Sequence, residues 1–128
     1  MRAFVVFLWL LAGPALADPC EAPLPRQGAS FAGVVRYVGD GDSLCVGPGE
    51  DPRTWIEVRL ADFYAPELQE PGGREAKAAL SRIALGKRAV CVAGRRSYDR
   101  VVAACTFDRR PVGDLMRRAG VREGGRGR

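Results

Sequence analysis

Between Phe31 and Ala119 the chain divides into five short runs with strand patterning and two with helical spacing, and their order restricts the fold sharply. Phe31 to Val38 reads as a strand, Gly39-Asp40-Gly41 as a turn and Asp42 to Val46 as a short return strand. Thr54 to Leu60 alternates Trp, Glu and Arg against Ile, Val and Leu, as a half-buried strand does. After Pro71-Gly72-Gly73, the residues Ala76, Ala79, Leu80, Ile83 and Ala84 fall at helical spacing, and Gly86 stops the helix. Ala89 to Val92 and Val101 to Phe107 are two further strands joined by a basic loop. Val112 to Ala119 is a short amphipathic helix that stops at Gly120. Three strands, a helix, two strands and a helix is the order of a five-stranded OB-type barrel, mainly β, with one helix between strands 3 and 4 and a short C-terminal helix.

The ends are organised differently. Met1-Arg2, the apolar run Ala3 to Leu11 and Ala15-Leu16-Ala17 have the layout of a signal peptide over residues 1–17. The apolar run is far shorter than the ~20 residues that span a bilayer, so the expectation is export, to the periplasm or beyond the cell, with no membrane attachment after cleavage. The remaining 111 residues suit one small domain: an arm over 18–30, a folded unit over 31–120 and a disordered basic tail over 121–128. Cleavage removes Arg2 and lowers the net charge from +5 to +4, a balance that favours anionic partners such as nucleic acid.

Cys20, Cys45, Cys91 and Cys105 all follow the leader, and an even count in an exported small domain points to disulfides. Three connectivities are possible. Antiparallel pairing of the last two strands would join Cys91 to Cys105 and leave Cys20 for Cys45. The chain has no histidine, which excludes Ser-His-Asp and Cys-His nucleophile schemes and leaves Asp, Glu, Lys, Tyr or Cys as any general base.

Three blocks carry the candidate chemistry: Asp40-Gly41-Asp42-Ser43, the segment Arg59 to Glu67, and Tyr98-Asp99-Arg100. Acids around a glycine suit a hard cation as well as a hairpin turn. Arginines suit a phosphate, and a glutamate suits activation of water. In order and residue type these blocks resemble the staphylococcal nuclease (thermonuclease) family, over roughly Phe31 to Gly120. The resemblance implies an OB-fold nuclease, monomeric, that hydrolyses DNA or RNA with a divalent cation, Ca2+ first and Mg2+ or Mn2+ as alternatives. It implies Arg59 and Arg100 on the phosphate, Glu67 as general base, and these three converging on one concave face. Asp42 matches a metal-ligand aspartate, with Asp40 an outer acid nearby.

Asp62-Phe63-Tyr64 departs from the family pattern, because Tyr64 stands where a second metal-ligand aspartate is expected. Asp62 shares a strand face with that position but lies one strand repeat away, roughly 6–7 Å. Rescue by Asp62 or Asp40, stacking of Tyr64 on a base and plain packing of Tyr64 are three readings of that departure. Tyr98 is a second aromatic placed for substrate contact. Two rival functions follow: a catalytically weakened nucleic-acid-binding homologue, and a disulfide-stapled interaction protein of the cell envelope.

Overall fold

The computed structural model describes residues 18–124; the leader lies outside them. The fold is mainly β, with six strands and two α-helices. Strand β1 (Ser30–Asp40), β2 (Ser43–Gly47) and β3 (Ile56–Leu60) form an antiparallel meander. Helix α1 (Gly73–Ala84) follows, then β4 (Arg88–Ser97), β5 (Arg100–Phe107), β6 (Arg110–Pro111) and α2 (Val112–Arg118). The sheet order is β3-β2-β1-β4-β5-β6. A parallel pairing of β3 with β5, Val58 opposite Val101 to Leu60 opposite Ala103, brings distant strands of this order together.

Alternation builds the interior. Val58 and Leu60 of β3 and Val101, Ala103, Cys105 and Phe107 of β5 are buried, while Arg59, Arg100 and Val102 project from the other face. Helix α1 turns Ala76, Ala79, Leu80 and Ala84 into the same core. These small side chains let its axis lie close to the sheet. The turn between β1 and β2 depends on that closeness. A Cβ on Gly41 would meet the Cβ atoms of Ala76 at 2.5 Å and Ala65 at 2.6 Å. Gly41 is therefore demanded by space.

Three elements differ from the sequence expectation. Strand β4 runs on to Ser97 through Gly94-Arg95-Arg96, with a register shift between Ala93 and Arg96. A polar, glycine-containing stretch looks like a loop in sequence, yet a bulge keeps it in the ladder. Strand β1 likewise runs on to Asp40, leaving Gly41-Asp42 as the turn. Strand β6 was not expected, because the Asp108-Arg109 turn before it has no glycine. Residues 121–124, read as the start of the tail, lie along the Tyr64 segment: Gly124 N–H donates to the Tyr64 carbonyl (2.7 Å).

Two disulfides cross-link the unit, Cys20–Cys45 and Cys91–Cys105. Cys91 and Cys105 face each other directly in the β4–β5 register. Cys20–Cys45 ties the arm to β2, assisted by Glu21 N–H to Pro52 and Ala22 N–H to Trp55 backbone bonds. Closing a loop of 14 residues restricts the unfolded chain by about 3 kcal/mol. Replacing both Cys91 and Cys105 with alanine is expected to lower the unfolding free energy by about that amount in urea titrations.

Candidate functional site

The site is organised around Asp42. Its side chain is buried, 6% exposed, at the end of the β1–β2 turn. Ala65 N–H donates to Asp42 Oδ2 (2.9 Å), and Leu60 N–H donates to the Asp42 carbonyl (2.8 Å). Asp42 N–H in turn donates to Asp40 Oδ1 (3.0 Å). One residue thus holds the turn against both the end of β3 and the segment leading to Glu67. Burial, together with the hydrogen bond and the charge of Asp40, pushes the Asp42 carboxyl up to about 7, against the opposing pull of the Ala65 N–H and the Arg59 guanidinium.

Two clefts flank this point and share Tyr98. The first, about 540 Å³, is lined by Asp18, Asp40, Glu57, Lys77, Asp99 and Arg100, among others. The second, about 440 Å³, holds Arg59, Tyr64, Arg95 and Ser97. Tyr98 is 90% exposed and takes a positive φ of 57° in the two-residue turn between β4 and β5. Arg59 lies 5.3 Å from the centroid of the Tyr64 ring, a cation–π distance. Arg59 and Arg100 therefore leave the same sheet face but line adjoining clefts.

Glu67 lines neither cleft. It is exposed, and its carbonyl accepts from Glu70 N–H (2.9 Å) in the loop before α1. Gly73 fixes that loop, since any Cβ there would collide with the Glu67 carbonyl. Asp62 is engaged with α2. Gly113 N–H donates to Asp62 Oδ2 (2.9 Å), Arg117 donates to the Asp62 carbonyl, and Oδ1 is buried without a hydrogen-bond partner among the described residues. Asp62 thus tethers the helix that ends the domain. Tyr64 N–H donates to Glu123 Oε1 (3.2 Å).

Two acids of the first cleft were not singled out in sequence. Glu57 was read as the polar side of a half-buried strand, yet it is 7% exposed. Extending the β3–β5 register by one residue sets it opposite Arg100. Asp18 reaches the cleft from the arm held by Cys20, with its carboxylate over Gly39. Burial, the charges of Asp99 and Asp18 and the hydrogen bond to Asp18 raise Glu57 to about 7, against Arg100. Asp18 is also raised, by burial first and then by Asp40. The only sequence signal for Glu57 was its place two residues before Arg59.

Asp40 and Asp42 form a close carboxyl pair whose mutual repulsion a cation would relieve, and both offer hard oxygen ligands. Among the described residues, no group of three or more His, Cys, Asp or Glu side chains is arranged to hold a metal. The pair thus offers a cation two carboxylates and no third acidic side chain among the described residues. No protein-family model matches this chain, and no curated protein matches it significantly in sequence.

The raised carboxyls set a pH dependence. The folded protein holds protons on Asp42 and Glu57 that the unfolded chain releases near pH 4. The stability linked to them is fully present below that point and is lost as pH rises through about 7. Thermal melts should therefore show Tm falling between about pH 4 and 7, and Glu57→Gln should flatten that fall.

Proposed function

We propose that this protein is an exported, divalent-cation-dependent phosphodiesterase acting on DNA or RNA, of the thermonuclease type, with its sheet read as an OB-type barrel. The observation that carries this reading is the grouping of Arg59 and Arg100 on one sheet face beside the buried Asp42 and its half-buried neighbour Asp40. The β3–β5 pairing supports the barrel, and the two disulfides are compatible with an oxidising compartment.

In this reading Asp42 and Asp40 would hold a cation, whose charge would offset that of the phosphate and make bound water more acidic. Arg59 and Arg100 bind phosphate oxygens and offset the charge gained in the transition state. A carboxylate takes a proton from water as the water oxygen bonds to phosphorus, and the bond to the leaving sugar oxygen breaks. Glu67 has that role by resemblance. Glu57 competes for it by position, since it faces Arg100. Glu67→Gln and Glu57→Gln, assayed side by side, separate the two.

A second reading has its own support. Tyr64 supplies no charge at the position where the family has an aspartate, and Asp62 is occupied on α2. That combination suits a nucleic-acid-binding homologue with weakened catalysis. Plasmid and RNA should be incubated with oxidised protein lacking residues 1–17, in Ca2+, Mg2+, Mn2+ or EDTA. Cleavage with a cation and none in EDTA is the expected result. Binding without cleavage favours the second reading; neither favours an envelope interaction protein. Tyr64→Asp adds a hard anionic ligand and should lower the cation concentration for half-maximal cleavage, on the order of tenfold. An unchanged requirement would mean that position 64 does not belong to the cation site.

A further inference from the structure

The first cleft carries four acids, Asp18, Asp40, Glu57 and Asp99, against only Lys77 and Arg100. The second cleft carries Arg59 and Arg95 and no acid, and in a chain of net charge +5 a further concentration of cations lies outside both clefts. A separate groove of about 730 Å³ shares no residue with either cleft. It lies between the start of β4, the β5–β6 hairpin and α2. Its rim carries Lys87, Arg88, Arg109 and Arg110 against one acid, Asp108. None of these four cations forms an ion pair among the described residues. Its apolar lining includes Val90, which is 48% exposed, and Leu115.

The hairpin that presents Arg109 is built against local preference. Asp108 and Arg109 are the two central residues of the turn, at φ 50° and 65°. Such a turn favours glycine at its second position, because a Cβ is strained there. The chain keeps an arginine instead. Strain of this kind is commonly retained where a side chain has a task.

We propose that this groove binds the backbone of single-stranded nucleic acid, as a docking site remote from the candidate cleavage clefts. The inference rests on the reading of nucleic acid as the partner. Phosphates pair with Arg109, Arg110, Lys87 and Arg88, and the apolar lining accepts the faces of unstacked bases. Four exposed cations against one acid suit a phosphate backbone, and Val90 and Leu115 are the only large aliphatic side chains that β4 and α2 add to the lining. Charge enters as screened attraction along a backbone, so the affinity is salt-dependent and tolerant of sequence.

The test is polarisation binding of a labelled single strand of about 20 nucleotides, in EDTA, across a salt series. The variant pairs Arg109→Gly with Arg110→Ala. Loss of two phosphate contacts should reduce the slope of log affinity against log salt by about 1.4, and affinity should fall about tenfold or more at low salt. Arg109→Gly alone should weaken binding without lowering Tm, since glycine relieves the turn. A loss of affinity that only follows a loss of Tm overturns the proposal. So does unchanged affinity and slope in the double variant, even if the wild-type protein cleaves. If wild type binds with the full slope and cleaves nothing under any cation, the cleavage reading falls and the groove stands. If the double variant loses binding to anionic phospholipid vesicles but not to the oligonucleotide, the groove serves a membrane and the proposal is wrong.

Discussion

The hydrogen bond from Ala65 N–H to the buried Asp42 carboxyl is the interaction on which the candidate site depends. It joins the β1–β2 turn to the segment that follows β3, and Leu60 N–H on the Asp42 carbonyl secures the same junction from the strand side. A hydrogen bond of this kind contributes about 0.5–1.5 kcal/mol, and a buried polar atom left without its partner costs about 1–3 kcal/mol. Gly41 makes the junction possible by admitting Ala65 and Ala76 to the turn. Arg59, two strand positions from Glu57 on the same face, is held beside it by the β2–β3 register, which sets Ser43 opposite Arg59.

The charge on the molecule is segregated. Acids gather in the cleft under the arm, where burial raises Asp18 and Glu57, and burial raises Asp42 next to it. Cations without an ion pair among the described residues gather where the β5–β6 hairpin meets the start of β4. A cleft of excess negative charge repels a phosphate until a cation or protons offset it. The basic groove, with four cations against one acid, lacks that repulsion. The Cys20–Cys45 disulfide matters to this balance, since it keeps Asp18 in the cleft.

Much of the architecture was legible because alternation and helical spacing are local properties. The meander, α1 between the third and fourth strands, α2 and the Cys91–Cys105 cross-strand pair all rest on patterns a few residues long. Strand β6 and the extension of β4 were not legible. One depends on a strained turn without glycine, the other on a bulge that keeps polar residues in the ladder. At the site, the motifs gave the neighbourhood of Asp42, Arg59 and Tyr98. They could not give Asp18 or Glu57, which arrive through a disulfide-held arm and a parallel strand pairing. The commitment of Asp62 to Gly113 is equally non-local, because it spans 51 residues.

Asp42 is given two tasks here: an oxygen that holds the Ala65 segment, and a negative charge that holds a cation. Asp42→Asn separates them, because the amide oxygen still accepts from Ala65 N–H while the charge is gone. The deciding measurement is cation-dependent cleavage by this variant, with its thermal melt recorded in parallel. The expected result is a melt within about 4 °C of wild type and loss of cation-dependent cleavage. Cleavage at the wild-type rate and cation requirement, by a variant that folds normally, would contradict the central role given to this carboxylate.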